Sequence, residues 1–313
     1  MKIAAGQKFY EQHREEAEGI WPDLRWSLLR SDGTWSTPPN DIRAAALIGD
    51  AYRPQFKEAL LRAPELAWVH TENSGTDYPF YKQILARNIL LTRSPGANAP
   101  EVAEFVFATI LSQLKQLMKF QQQQQRKEWR RLDLEGLTGK TILIVGLGEI
   151  GSRITKIARA FDMQVLGINN TAETILAVDE LGTIDKLPHF LPRADIIVLA
   201  LPLTLETTNL IGAEEINLMK ETAILVNIAR GEIIDHEALK KALSDRPSFK
   251  ACLDVVPREP LPEDDALWSA SNVLLTPHIA WSSPLYRQRA ATMWLENLQR
   301  YRLGKSLRDL VAD

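Results

Sequence analysis

A single cysteine, Cys252, occurs in the 313-residue sequence, so an intramolecular disulfide is excluded and a reducing compartment suits the chain. Charge of one sign is missing as well. The 37 Lys and Arg residues are matched by 40 Asp and Glu, which gives no electrostatic reason to expect a nucleic acid or another polyanion as partner. Nor is there a long hydrophobic run. The longest candidate, Val102 to Leu114, is interrupted by Glu104, Ser112 and Gln113 and falls short of the roughly 18 apolar residues that mark a membrane span. It reads as a buried helix. The segment Met1 to Gln7 has no sustained apolar core and meets Lys8 at once, unlike a signal peptide. A soluble, cytoplasmic protein with no membrane partner is expected. The remaining composition, 45% hydrophobic and 25% charged, calls for a packed core, and the length suffices for two domains of ordinary size.

The chain is organised around Leu137 to Gly151. Thr141 to Val145 is an apolar, β-branched run that suits a strand buried on both faces. Gly146, Gly148 and Gly151 follow in the order G-x-G-x-x-G, and Ile150, Ile154, Ile157, Ala158 and Phe161 then recur at helical spacing. The glycines therefore sit where a strand turns into a helix. Gly146 permits the tight turn, Gly148 leaves bare backbone for a pyrophosphate, and Gly151 lets the helix lie close to its strand, with the helix N-terminus facing the anion. This is taken as a dinucleotide site. Five further strand-like runs follow, Gln164 to Ile168, Asp195 to Leu201, Ala223 to Asn227, Lys250 to Asp254 and Val273 to Thr276, with helical patterns at Ala213 to Lys220 and Asp235 to Ser244. Six strands in βα alternation make a doubly wound dinucleotide domain.

The first hundred residues alternate more loosely. Trp26 to Leu29, Ala44 to Ile48, Leu66 to Thr71 and Ile89 to Thr92 read as strands, and Gln55 to Arg62 and Tyr81 to Arg87 as helices, which indicates a small α/β lobe with a parallel sheet. Asn73 to Asp77 follows a strand directly. Two readings stand there: backbone N–H groups offered to an anion, or an ordinary strand-end turn. Ser94 to Pro100 marks a hinge, and Pro100 with Glu101 and Glu104 opens a helix that runs through Val102, Val106, Ile110, Leu114 and Leu117 toward Gln121 to Gln125. The glutamines read as a solvated face, and Gln121 to Glu135 as a linking arm or part of a subunit contact. Pro284 to Leu310 contains a long amphipathic helix that packs back on the first lobe.

Ligands in such sheets lie at the carboxyl ends of the strands. Arg230 follows one strand, where its planar fork can grip a carboxylate, a surface ion pair being the other reading. Glu259 follows the next and His278 the last. His278 can move a proton near neutral pH, and Glu259 can orient it and favour its charged form.

With these residues in place the sequence resembles the D-isomer-specific 2-hydroxyacid dehydrogenases, over essentially the whole chain. The resemblance is carried by Ser74-Gly75 with Asp77, Ala99 to Glu104, Leu137 to Gly151, Leu201 to Thr204 followed by Thr207, Asn227 to Gly231, Leu253 to Val255 with Glu259-Pro260, and Pro277 to Ala280. It implies an α/β protein of two lobes, a doubly wound Rossmann domain over 98–286 and a smaller flavodoxin-like substrate domain over 1–97 plus 287–313, assembled as a homodimer and without a metal. It implies that Arg230 binds the substrate carboxylate and polarises the keto group, that His278 is the acid/base and Glu259 its partner, and that Asn73, Ser74 and Gly75 give backbone donors to the carboxylate. Cofactor contacts are implied for Gly146, Leu147, Gly148, Glu149, Ile150, Gly151, Asn169, Asn170, Thr171, Leu201, Pro202, Thr207, Ile228, Ala229, Arg230, Asp254 and His278, with Asp254 on the nicotinamide carboxamide.

The implied reaction is hydride transfer between NAD(P)H and a small 2-oxo acid, of the glyoxylate or hydroxypyruvate kind, giving a D-2-hydroxy acid. Two rivals are a dinucleotide-sensing regulatory protein on the same fold and a related formate or phosphite dehydrogenase. Two departures from the family pattern stand out. Where an NAD-specific member carries an acid for the adenosine ribose, this sequence has Asn169-Asn170-Thr171. Nothing there repels a 2′-phosphate and no adjacent Arg grips one, so NAD and NADP both stay open with a tilt toward NADP. The usual first strand is barely visible in Lys2 to Ala5.

Overall fold

The computed structural model describes residues 1–170 and 178–311. The chain divides into two compact units, Met1–Asn98 with Ser283–Asp313, and Ala99–Ser282. No helix among the described residues is long and apolar enough to cross a membrane.

The first unit begins with β1 (Lys2–Gly6), α1 (Gln7–Ile20), β2 (Arg25–Leu29), β3 (Ala44–Leu47), α2 (Pro54–Arg62), β4 (Trp68–Thr71), α3 (Pro79–Leu85) and β5 (Leu90–Thr92). The strands are parallel, in the order β2-β1-β3-β4-β5, which is the flavodoxin-like arrangement. The faint segment Lys2 to Ala5 is thus a strand of the sheet interior, paired on both sides. Ile3, Ala4 and Ala5 are wholly buried, and small residues that pack well inside give a weak strand signal in sequence. At Gly6 a Cβ would stand 2.1 Å from the Asp50 carboxylate, which accepts the Lys8 N–H at 2.9 Å and so caps α1. That helix buries only Phe9 and Ala17, too little for its pattern to announce it. Helices α2 and α3 each start on a proline, one and two residues before the apolar periodicity does, because a first-turn residue needs no N–H.

The second unit contains α4 (Ala99–Leu114), α5 (Leu117–Gln125), β6 (Thr141–Val145), α6 (Glu149–Ala160), β7 (Gln164–Ile168), β8 (Glu180–Gly182), α7 (Leu187–Phe190), β9 (Ile196–Leu199), α8 (Ala213–Leu218), β10 (Ile224–Asn227), α9 (His236–Asp245), β11 (Lys250–Leu253) and β12 (Val273–Leu275). Its sheet is parallel and seven-stranded, β12-β11-β10-β9-β6-β7-β8, the doubly wound order with one strand more than the six runs visible in sequence. The extra strand is β8, three residues at the sheet edge with no apolar run to reveal it. Alternate residues feed two cores: Leu143, Val145, Ile197 and Leu199 pack on one side, Ile142, Ile144, Ile196 and Val198 on the other. The expected single helix from Pro100 toward the glutamines is two helices. Gln116 adopts a left-handed conformation, φ 50°, and its side chain and that of Lys115 donate to the carbonyls of Asp133 and Glu135 at 2.8 and 2.6 Å. The break falls where burial stops, since Leu114 is buried and α5 buries nothing. The glutamines lie on α5 and are exposed except for half-buried Gln123.

The final helix, α10 (Pro284–Arg302), is capped by the Ser283 hydroxyl and packs on α1 in the first unit. Trp294 is wholly buried there, edge-on to Phe9 at 5.1 Å and stacked on Trp68 at 6.5 Å. Below it His70 is also wholly buried. Trp68 Nε1 donates to Thr92 Oγ1 at 2.9 Å, which leaves the Thr92 proton for His70 Nδ1 at 2.8 Å. The Ser94 hydroxyl donates to the Thr71 carbonyl at 3.0 Å, so it accepts from His70 Nε2 at 3.0 Å. The neutral ring with its proton on Nε2 satisfies both hydroxyl partners. Burial pushes His70 down to about 3, outweighing the Ala290 carbonyl that pulls the other way. Its folded value thus lies below the unfolded one, so its stabilising contribution is complete above the unfolded value of ~6.5 and is lost as pH falls below that toward 3. The expected loss is about 1.4 kcal/mol per pH unit in that window. Urea titrations of the native protein and His70→Gln between pH 6 and 4 check this: the native slope should be steeper by one proton, and equal slopes would contradict it.

Candidate active site

The glycine loop after β6 sits at the switch point of the seven-stranded sheet, between strands that run out to either side. Gly146 has φ 101°, and a Cβ on it would stand 2.4 Å from the Ala200 carbonyl oxygen at the end of β9. A Cβ on Gly151 would stand 2.0 Å from the Gly146 carbonyl oxygen, whereas one on Gly148 would meet nothing within 4 Å. Two of the three glycines are therefore demanded by the protein's own backbone. The third is not, and the open space beside it at the start of α6 fits a pyrophosphate approaching bare N–H groups. Leu147 is buried, Glu149 is exposed and Ile150 is half-buried at the head of that helix. After β9, the Thr207 hydroxyl donates to the Pro202 carbonyl at 2.8 Å and accepts the Thr204 N–H at 2.7 Å, closing the loop that starts at Leu201. At the end of β7 the Asn169 N–H is taken by the Gly182 carbonyl at 3.0 Å, and Asn170 is exposed. Thr171 lies outside the described residues.

At the ends of β10, β11 and β12 the loops hold one another. The Asn227 side chain accepts from the Ala229 N–H at 3.0 Å and donates to the Arg230 carbonyl at 2.8 Å, curling the Ile228–Arg230 segment back on its strand. The next residue, Gly231, leaves no room for a Cβ, which would stand 2.0 Å from the Val256 carbonyl carbon. The loop of Arg230 thus lies directly on the loop that leads to Glu259. Arg230 is half-buried, with one guanidinium N–H on the Ala229 carbonyl at 2.7 Å.

His278 Nδ1 lies 2.8 Å from Glu259 Oε2. A carboxylate only accepts, so Nδ1 carries a proton and Nε2 is left as the atom that can pass one. His278 has φ 52°, a conformation unusual for a residue with a side chain. The cause is the chain around it. Its N–H donates to the Asp254 carbonyl at 2.8 Å and its carbonyl accepts from Trp281 Nε1 at 2.9 Å. The buried Asp254 carboxylate takes the Thr276 hydroxyl at 2.6 Å and the N–H groups of Ile279 and Ala280 at 2.9 and 3.0 Å. Three of its acceptor positions are thus spent on the His278 loop. Sequence reasoning found Asp254 as a strand-end residue but missed this clamp, and it took Gly231 as part of the Asn227 to Gly231 motif without the close backbone approach that makes it necessary. Cys252 is buried in β11, and burial pushes its thiol up to about 12, so it offers no nucleophile.

In the first unit, Asn73 to Gly75 follows β4. The Asn73 N–H lies 3.3 Å from Thr71 Oγ1. The N–H groups of Ser74 and Gly75 have no partner among the described residues, and the Ser74 hydroxyl is turned to the Ser94 carbonyl at 3.2 Å. Glu72, at the root of the loop, is buried and accepts the Gly49 N–H at 2.8 Å. Burial raises its carboxyl above the ordinary range, opposed by that bond and by Arg287.

A doubly wound sheet with a glycine cradle at its switch point, beside a His–Glu pair, defines a nicotinamide-dependent oxidoreductase. Comparison with known proteins places it further. A model described as D-isomer specific 2-hydroxyacid dehydrogenase, NAD binding domain, matches residues 107–280. A glyoxylate reductase of Thermofilum pendens is 37% identical over 288 residues, covering 89% of this chain and 81% of that one. Among solved structures, a D-isomer specific 2-hydroxyacid dehydrogenase family protein from Aeromonas salmonicida superposes with a TM-score of 0.86 at 29% identity, over 99% of this chain and 98% of the other. One from Xanthobacter autotrophicus in complex with NADPH and MES gives 0.80 at 26%, with the same coverage. The chain belongs to the D-isomer-specific 2-hydroxyacid dehydrogenase family. It is an NAD(P)-dependent dehydrogenase.

The two kinds of glycine separate by experiment. Gly151→Ala should cost about 1–3 kcal/mol of stability through overpacking. Gly148→Ala should leave the melting temperature unchanged and weaken NAD(P)H binding by roughly tenfold or more, since a methyl group would occupy the approach to bare backbone. Calorimetric melting and fluorescence titration with the reduced cofactor read the two effects; a matched fall in stability for both variants would contradict the distinction.

Proposed function

We propose that the protein reduces a small 2-oxo acid, glyoxylate or hydroxypyruvate, to the corresponding D-2-hydroxy acid or, for glyoxylate, to glycolate. The observation that carries the reading is the 2.8 Å contact of His278 Nδ1 with Glu259, which leaves Nε2 free to act on a carbonyl oxygen. A bound reduced nicotinamide would supply the hydride for the keto carbon. Arg230 holds the acid's carboxylate with its fork and draws charge toward the keto oxygen. His278 Nε2 delivers the proton that oxygen needs, and Glu259 fixes the ring and its tautomer through Nδ1. In the reverse direction the neutral ring takes the hydroxyl proton. The Ser74 and Gly75 N–H groups are assigned to the carboxylate, and Met1–Asn98 with α10 to the substrate lobe. Asp254 is assigned to the nicotinamide carboxamide through the acceptor capacity its clamp leaves over. The names of curated relatives such as the Thermofilum pendens glyoxylate reductase support the substrate class. Asn169 and Asn170 carry no charge to exclude a 2′-phosphate, which supports use of NADPH.

A cytoplasmic homodimer is part of this reading. Leu117 and Met118 on α5, Trp129 and Leu134 are exposed, Trp129 completely, and together they supply the apolar surface of a subunit contact. The functional test is nicotinamide absorbance with glyoxylate, hydroxypyruvate, pyruvate and phenylpyruvate, each with NADH and NADPH. Oxidation of the cofactor by none of the four acids would overturn the reading.

Arg230→Lys should lose on the order of 10²-fold in kcat/KM, the scale of one lost preorganised donor, because an ammonium cannot make the planar two-point contact. His278→Ala should lose roughly 10²- to 10⁴-fold in both directions. Normal steady-state kinetics in either variant would remove that residue from its role.

Asn169→Asp should shift the NADH/NADPH ratio of kcat/KM toward NADH by about tenfold or more, since a carboxylate there repels the 2′-phosphate. A ratio that stays put would mean the adenosine ribose is read elsewhere.

A further inference from the structure

Three hydroxyl groups meet beneath the loop that follows β4. Thr71 ends that strand, Tyr52 ends the turn after β3, and Tyr81 lies on α3. The Tyr52 and Tyr81 hydroxyls are in short contact, and Thr71 Oγ1 stands 2.7 Å from Tyr81 and 3.3 Å from Tyr52. Asn73 closes the cluster. Its Nδ2 is 2.6 Å from the Tyr52 oxygen and 3.2 Å from that of Tyr81, and its backbone N–H is 3.3 Å from Thr71 Oγ1.

With the Asn73 Nδ2 facing the phenols, every proton of the cluster has a place. Three hydroxyls bring three protons, and the three oxygen–oxygen contacts consume one each. Every oxygen then has one acceptor position left, and an Asn73 N–H fills each: Nδ2 on the two phenols, the backbone on Thr71. If the carboxamide were turned over, its oxygen would draw a phenol proton out of the triangle, and the longest contact, Tyr52 to Thr71 at 3.3 Å, would be left without one. Nδ2 therefore points into the triangle, and the carboxamide oxygen points away from it. That oxygen is the one polar side-chain atom of the cluster with no partner among the described residues. The phenols donate nothing outward. Burial pushes Tyr81 up to about 12 and Tyr52 higher still, so both stay neutral, and the Lys57 ammonium, 4.7 Å from the Tyr52 ring centre and 5.5 Å from that of Phe80, holds the outer ring face.

We infer that Tyr52, Tyr81 and Thr71 are positioning residues that lock the Asn73 carboxamide in one orientation, so that its oxygen selects 2-oxo acids carrying a hydroxyl on C3. The inference rests on the reading of Asn73 to Gly75 as the loop that receives the oxo acid. An acceptor fixed beside a carboxylate seat gains a bond from hydroxypyruvate. Pyruvate puts a methyl group there and leaves the oxygen desolvated and unpaired, the situation in which hydrogen-bonding sites discriminate best. A carboxamide free to rotate would offer either end and discriminate less.

The test is the ratio of kcat/KM for hydroxypyruvate over pyruvate, measured for the native enzyme, Tyr81→Phe and Thr71→Val with one cofactor throughout. The native ratio should be about tenfold or more. Each variant removes one proton from the triangle and lets the amide turn, so the ratio should fall about fivefold, through KM for hydroxypyruvate and not through kcat. A native ratio near one, or variants that slow both acids equally, overturns the inference and leaves the oxo-acid reading standing. A native enzyme that reduces no oxo acid at all removes the reading and the inference together. Melting temperatures recorded alongside show whether a variant is folded, and the two isosteric changes guard against either one failing to fold.

Discussion

Three places in the second unit bring backbone so close to backbone that no Cβ fits between: Gly146 on Ala200, Gly151 on Gly146, and Gly231 on Val256. All lie beyond the carboxyl ends of strands in one parallel sheet. The first two set the loop after β6 against its neighbour and bring α6 down on it, which turns the helix N-terminus toward the open space at Gly148. The third lays the loop of Arg230 on the loop of Glu259. Such approaches are rigid because no side chain can yield between them. Residues far apart in sequence are thereby held at fixed offsets by the sheet alone, and the chemistry added at the strand ends inherits that precision.

Much of this was visible in the sequence because a buried parallel strand has a crude signature. Thr141 to Val145 and Asp195 to Leu201 are continuous apolar runs, since both faces are covered. Where the signature fails, a specific reason can be given. β1 is as buried as β6, yet it is built from Ala4, Ala5 and Gly6, residues with little strand preference. Gly6 is needed there because a Cβ would run into the Asp50 carboxylate. β8 is three residues long and pairs on one side only. The break between α4 and α5 is set by where the apolar face ends and by Gln116 reaching the arm, and neither is a breaker signal of the Gly or Pro kind.

The candidate site divides in the same way. Gly146, Gly148, Gly151, Arg230, Glu259 and His278 were legible because each lies within a few residues of the end of a strand-like run, and strand ends are where such sheets do chemistry. What holds them was not legible. The Asp254 clamp joins residues 22 to 26 positions apart, and the hydroxyl triangle joins Tyr52, Thr71 and Tyr81 from three different elements. No local pattern announces a hydrogen bond of that range. His278 shows the consequence: a histidine with positive φ is costly, and only the bonds from Asp254 and Trp281 explain why it is tolerated.

The two units solve the problem of a fixed loop by different means. The second relies on close backbone and on one buried carboxylate. The first relies on neutral hydrogen-bond networks that leave no proton unassigned. Two such networks meet on Thr71. Its carbonyl accepts the Ser94 hydroxyl at the end of the chain that runs from Trp68 through Thr92 and His70, and its own hydroxyl belongs to the triangle with Tyr52 and Tyr81. A loop that is to keep N–H groups open for an anion must not find other partners for them when it moves. Pairing every hydroxyl beneath the loop, with the Asn73 carboxamide oxygen turned away, removes those alternatives. The open N–H groups of Ser74 and Gly75 are then a consequence of how completely the residues beneath them are paired.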